Sequence, residues 1–177
     1  MTKPACSAAE KAALPYRPNV GAVLFNRAGQ VLVARRADMA NAEGPPGGWQ
    51  LPQGGIDGNE DPAQAVLREL KEEIGTADAE ILGEYPGWLQ YDLPWPLVGK
   101  SFRGRYRGQR QRWFALRFLG TDAQIRLDLD PHPEFDKWRW AELDELPRLA
   151  VSFKRPIYEA LAREFRKYAT ELKGSRS

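Results

Sequence analysis

Apolar positions along this chain fall into a near-continuous rhythm, an alternating one and a helical one. From Asn19 to Asn26 the run is almost unbroken, centred on Val20, Val23, Leu24 and Phe25. After the turn Arg27-Ala28-Gly29-Gln30 it resumes from Val31 to Ala34. Two β-prone runs joined by a short polar turn predict a hairpin or meander. Glu80 to Leu93 reads as strand interrupted at Pro86 and Gly87, Arg112 to Leu119 as a strand of aromatic and apolar residues, and Trp138 to Trp140 as a short alternating strand. The helical rhythm appears twice. Val66, Leu70 and Ile74 recur every four residues as a buried stripe, and Ile157, Leu161 and Phe165 do the same in a last helix from about Arg155 to Leu172.

Turn-forming residues set the boundaries. Asp38 to Gly48 has no periodicity and gathers Gly44, Pro45, Pro46, Gly47 and Gly48, which predicts a surface loop leading into a short strand, Trp49 to Leu51. Gly54-Gly55 makes a further turn. Asp61, Pro62 and Gln64 then read as an N-cap, an N1 proline and a capping-box partner, so a helix starts here and ends at Gly75. We expect a flexible tail over 1–15, one domain over 16–172 and a frayed end over 173–177.

Composition narrows the function classes. The 177 residues suffice for one domain with its own core, and 42% apolar with 28% charged residues exclude general disorder. A net charge of +2 is too small for the whole molecule to attract polyanions, so a local patch must do so, and DNA is not an expected partner. Cys6, the single cysteine, excludes an intrachain disulfide and a cysteine-based zinc cluster, and suits the reducing cytoplasm. Met1 to Leu14 has no apolar segment, so neither a signal peptide nor a membrane partner is expected.

Chemistry concentrates on the first helix. Glu69, Glu72 and Glu73 stand at i, i+3 and i+4, within an arc of roughly 100° at about 100° per residue. Glu69 and Glu72 point away from the buried stripe, and Glu73 lies at its edge. Three such carboxylates repel one another unless a divalent cation sits among them. Hard oxygen donors suit Mg²⁺, with Mn²⁺ or Zn²⁺ as further candidates. Gly54 and Gly55 would let the backbone approach the metal or a phosphate where a Cβ would obstruct it. The bland alternative is a solvated acidic face paired with nearby lysines and arginines.

The pattern Gly54, Glu60, Arg68-Glu69-Leu70, Glu72-Glu73 and Gly75 resembles the Nudix box, departing from it only at Thr76, where the family usually has an aliphatic residue. The resemblance implies an α/β/α sandwich with a mixed β-sheet and cleavage of a nucleoside diphosphate linked to another group. It implies that Arg68 faces away from the metal side and pairs with Glu60, bracing loop against helix. The stretches Tyr16-Arg17-Pro18-Asn19-Val20-Gly21, Trp49 to Gly55, Gly108 to Phe114, Pro133 to Trp140 and Val151 to Arg155 are similar to the bacterial RNA pyrophosphohydrolase subfamily. That subfamily also includes enzymes acting on dinucleoside polyphosphates such as diadenosine tetraphosphate. The implied partner is therefore 5′-triphosphorylated RNA or a dinucleoside polyphosphate, and the implied product of the first is a 5′-monophosphate end open to ribonucleases.

By the same resemblance Gly54, Glu69, Glu72, Glu73 and Glu134 hold the metal, and Arg17, Arg36, Gln53, Phe153 and Lys154 bind substrate. Arg68, Glu72, Glu73 and Glu134 carry the catalysis. Which glutamate takes the proton from the attacking water stays open among Glu72, Glu73 and Glu134. Phe153 beside Lys154 and Arg155, with Arg36, is the preferred base-and-phosphate clamp; core packing is the alternative for Phe153. Lys100, Arg103, Arg105, Arg107, Arg110 and Arg112, with Phe102, Tyr106 and Trp113 interleaved, offer cations for phosphates and flat partners for unstacked bases, or else form a solvated loop. The lone His132 receives no role, and Trp138 and Trp140 should pack in the core. Rival readings are a catalytically silent RNA-binding protein of the same fold and a pyrophosphatase for free nucleotides.

Overall fold

The computed structural model describes residues 7–39 and 48–175. Its eight strands are β1 (Tyr16–Phe25), β2 (Val31–Arg36), β3 (Trp49–Gln50), β4 (Gln53–Gly55), β5 (Ala79–Glu84), β6 (Leu89–Asp92), β7 (Gly108–Phe118) and β8 (Phe135–Ala141). The helices are α1 (Ala8–Ala13), α2 (Pro62–Ile74), α3 (Leu146–Leu149), α4 (Arg155–Glu164) and α5 (Arg166–Gly174). The strands run β3-β2-β1-β7-β5, with β4 also on β1, β6 on β7 and β8 on β2. Only β1 and β7 pair in parallel among these described strands, over Tyr16↔Gly108 to Phe25↔Arg117, so the sheet is mixed.

The unbroken apolar run of β1 has a direct cause: both of its faces are covered. Val20, Ala22 and Leu24 meet Val66, Leu70 and Ile74 of α2, whereas Val23 and Phe25 meet Trp113 and the α3–α5 side, including Leu146, Leu161 and Phe165. Helices on both faces of a mixed sheet give the expected α/β/α sandwich.

Helix α2 starts and stops as its residues dictate. Asp61 accepts a hydrogen bond from the Gln64 N–H, Pro62 occupies the first turn, and Gly75 ends the helix at φ 79°. Thr76 is buried, and its hydroxyl is used: Oγ1 accepts from the Asp78 N–H at 3.1 Å.

Several boundaries move. Strand β1 begins at Tyr16 and β7 at Gly108, because polar residues there join the parallel ladder. The last helix breaks at Phe165, which sits at φ −92°, ψ 3°. Neither Gly nor Pro marks that break, so the stripe Ile157, Leu161, Phe165 reads straight through it. Within the stretch expected to be a tail, α1 is closed by a Ser7–Glu10 capping box and pinned where Lys11 donates to the Leu93 carbonyl at 2.9 Å. At the other end α5 reaches Gly174. Of the Asp38–Gly48 loop, Asp38 lies in a 3₁₀ turn and the Gly48 carbonyl accepts from the Arg36 N–H; Gly44, Pro45, Pro46 and Gly47 lie outside the described residues. Among the described residues no helix is long and apolar enough to cross a membrane.

Candidate active site

A cavity of about 560 Å³ opens beside the start of α2's second half. Nine of the expected residues reach it or frame it: Gly54, Glu69, Glu73 and Glu134 on the acidic side, and Arg17, Arg36, Gln53, Phe153 and Lys154 opposite. Strand β4 brings in Gln53 and Gly54, α2 brings the glutamates, and Glu134 arrives just before β8.

The acidic side is tightly built. An alanine Cβ at Gly54 would lie 1.9 Å from the Glu69 carboxyl carbon, so the glycine makes room for that carboxylate. Glu73 is buried, not merely at the edge of the stripe, and its Oε2 has no hydrogen-bond partner. Burial above all, then the facing carboxyls of Glu134 and Glu69, pushes the Glu73 carboxyl well above the usual range. Burial also raises Glu69, with Arg68 pulling the other way.

Arg68 does brace the loop: Nε and Nη2 donate to Glu60 at 2.8 and 2.9 Å, and Nη2 also donates to the Gly55 carbonyl at 2.8 Å. It does not face away from the acidic side, however. Nη1 donates to Glu69 at 2.9 Å and to both oxygens of Glu72 at 3.3 Å, because the guanidinium is the nearest positive charge to those carboxylates. Glu72 stays largely exposed and outside the cavity lining.

The residues present fit a hard divalent cation. Carboxylate oxygens are the donors, Glu73 Oε2 is orphaned, and the glycine cradle holds Glu69 beside the cavity. Among the described residues no three His, Cys, Asp or Glu side chains form a finished cage, consistent with Arg68 engaging Glu69 and Glu72.

On the opposite side Phe153 lines the cavity, stands 5.5 Å from Tyr91 and packs partly on the core. Burial, reinforced by Arg36 and opposed by Glu134, brings the Lys154 amine down to about 8. Arg36 reaches the cavity already paired with Asp38 through two bonds of 2.9 and 2.8 Å, a partner not expected for the clamp. Arg17 donates to Gln109 at 2.8 Å and lies 5.0 Å over the Phe102 ring.

Several cations of the basic run are already engaged within the protein. Arg107 pairs with Asp92 at 2.9 Å, Arg112 pairs with Glu84, Arg110 stacks on Trp88 at 4.4 Å, and Trp113 is core. Arg110 and Arg112, two apart on β7, share one face and both lie over Trp88, Arg112 at 5.4 Å, whereas alternation sends Trp113 to the other face. Conversely, Asn19, Gln50, Tyr91, Gln109 and Tyr158 line the cavity without having been singled out. Polar amides at otherwise apolar strand positions were the available signal.

The NUDIX domain family matches residues 15–161. The RNA pyrophosphohydrolase of Acidiphilium cryptum is 68% identical over 159 residues, spanning 89% of this chain and 94% of that protein. The RNA pyrophosphohydrolase of Gluconacetobacter diazotrophicus is 57% identical, spanning 90% of this chain and 97% of that protein. Among solved structures, the dihydroneopterin triphosphate pyrophosphohydrolase of E. coli aligns with a TM-score of 0.63 at 19% identity, covering 85% of this chain and 99% of that one. The Ap4A hydrolase of C. elegans aligns at 0.58 and 21%, covering 86% and 98%; these likenesses speak to the fold. With Gly54, Glu69 and Glu73 of the box at one cavity and a family match over most of its length, this chain belongs to the Nudix family of divalent-metal-dependent hydrolases.

Proposed function

We propose that this chain is an RNA pyrophosphohydrolase that removes pyrophosphate from 5′-triphosphorylated RNA and leaves a 5′-monophosphate. One observation carries the reading: a single cavity holds Glu69, Glu73 and Glu134 on one side and Arg17, Lys154 and Phe153 on the other. Such a site matches a substrate that is a phosphate chain at one end and an unstacked base next to it. The names of the relatives at 68% and 57% identity support the same substrate.

Glu69, Glu73 and Glu134 would hold Mg²⁺, with the Gly54 backbone beside them. Bound there, the cation supplies charge neutralisation for the phosphates and acidifies a water. The chain's own residues do the rest. Arg68 holds Glu69 in place and ties α2 to the Glu60 loop. Arg17 and Lys154 orient the phosphate chain, and Phe153 offers its ring to the base. A water oxygen bonds to phosphorus as the anhydride P–O bond breaks, and the pyrophosphate oxygen leaves with the electron pair. The water's proton passes to a cavity carboxylate; the lining favours Glu73 or Glu134 over the outlying Glu72.

One assay tests this: turnover of triphosphorylated RNA, diadenosine tetraphosphate and free nucleoside triphosphates, with Mg²⁺ and with EDTA. The expected result is preference for the RNA and no turnover in EDTA. A strong preference for free nucleotides would defeat the RNA reading.

A further inference from the structure

The cavity has another wall, made of uncharged amides that the steps above do not use. Trp113 is 1% exposed, and its indole N–H, which can only donate, bonds to Gln111 Oε1 at 3.1 Å. That bond leaves the Gln111 amide one way to lie. Its NH₂ points in the other direction, donating to Asn19 Oδ1 at 2.9 Å and to Gln53 Oε1 at 2.6 Å. Asn19 and Gln53 both line the cavity, and their oxygens are now committed inward. Gln50 lines it too; it is 7% exposed, and its Nε2 is buried with no hydrogen-bond partner. A buried donor left in that state is unfavourable until something supplies an acceptor.

We propose that Trp113, acting through Gln111, locks the Gln53 and Asn19 amides with their N–H groups toward the cavity, and that these with Gln50 form a donor-only face for the substrate's anionic phosphate oxygens. Phosphate oxygens only accept at full charge, so they match this face, whereas a neutral group that must donate does not. Trp113 and Gln111 are positioning residues. Gln50 and Gln53 touch the substrate. The inference rests on the cavity being the phosphate site, and the test separates the two.

Side-chain ¹⁵N–¹H spectra of the full chain, titrated with inorganic pyrophosphate with and without Mg²⁺, read the face directly. The NH₂ signals of Gln50 and Gln53 should move, while those of Gln111, whose hydrogens are spent inside the protein, should barely respond. Gln111→Glu keeps an acceptor for Trp113 but gives Asn19 and Gln53 only oxygen to face, so both amides turn their N–H groups inward. The expected result is a KM for triphosphorylated RNA raised roughly tenfold or more, with kcat changed less and the melting temperature verifying the fold. Should that variant not fold, Trp113→Phe removes the donor that sets the amide direction and should raise KM in the same sense. If wild-type protein hydrolyses no triphosphorylated RNA yet these amides still respond to pyrophosphate, the donor face stands and the RNA reading falls. Amide signals that stay put while the Arg17 Nε–H moves, or a Gln111→Glu enzyme with wild-type KM, would overturn the proposal.

Discussion

Arg68 grips Glu60 with two parallel hydrogen bonds, Nε to Oε2 at 2.8 Å and Nη2 to Oε1 at 2.9 Å, and its remaining nitrogen donates to Glu69 and, at longer range, to Glu72. The bidentate bond holds the Glu60 carboxyl below the usual range. The residue that braces loop against helix is thus also the neighbour that steadies the Glu69 carboxylate. Arg68→Gln should lower kcat/KM by roughly 10–100-fold, the usual cost of losing a group that orients a ligand. Glu60→Gln should do much the same, and the double variant should be little worse than either; additive losses would show that the two act separately.

Glu73 makes a prediction in two opposed directions. Its carboxyl is raised well above 4.5, so between that value and its raised one the folded chain keeps a proton that the unfolded chain has released. Stability of the metal-free protein therefore falls as pH rises through that window. Glu73→Gln should raise the metal-free melting temperature at pH 8 by about 2–4 °C, as expected for about 1 kcal/mol in a chain of this size, with the gain vanishing near pH 4. Hydrolysis by the same variant should fall at least roughly a hundredfold. A destabilised variant in EDTA would contradict the burial argument.

Lys154 gives a pH dependence in activity rather than in stability. With its amine brought down to about 8, rising pH strips the cavity of a cation before any ordinary lysine would lose its proton. The kcat/KM for an anionic substrate should decline above about pH 8. Lys154→Arg, which stays charged, should move that decline to higher pH, measured as a full profile from pH 6 to about 10. An unchanged profile would assign the decline to another group.

Gly54→Ala isolates the cradle. The new Cβ would collide with the Glu69 carboxylate, the mobile end of a side chain, so the fold should survive and the carboxylate should be displaced. Mg²⁺ affinity measured by calorimetry should weaken roughly 10–100-fold, with a melting temperature close to wild type. Tight Mg²⁺ binding in this variant would remove Glu69 from the ligand set.

Much of the fold was readable because local chemistry agreed with tertiary demand. Asp61, Pro62 and Gly75 fixed the ends of α2, and the Val66-Leu70-Ile74 stripe fixed its buried face, just as the covered β1 explains its unbroken apolar run. The break at Phe165 was not readable, since no breaking residue stands there and only packing places the two helices. The ion pairs made by the basic run were equally hidden. Asp92 and Glu84, which pair with Arg107 and Arg112, lie 15 and 28 residues away in sequence.

The sequence by itself determined which glycines and carboxylates stand together as candidates for the chemistry: their spacing needs only one helix and one turn, and helical geometry converts it directly into shared direction. Tertiary structure alone decided which of those carboxylates reach the cavity, that Glu73 and not Glu72 is buried there, and how Gln111 turns the amides beside it. The local stripe sets the buried face of a helix, but how deeply a group at its edge is covered and which way an amide turns depend on neighbours brought from distant strands.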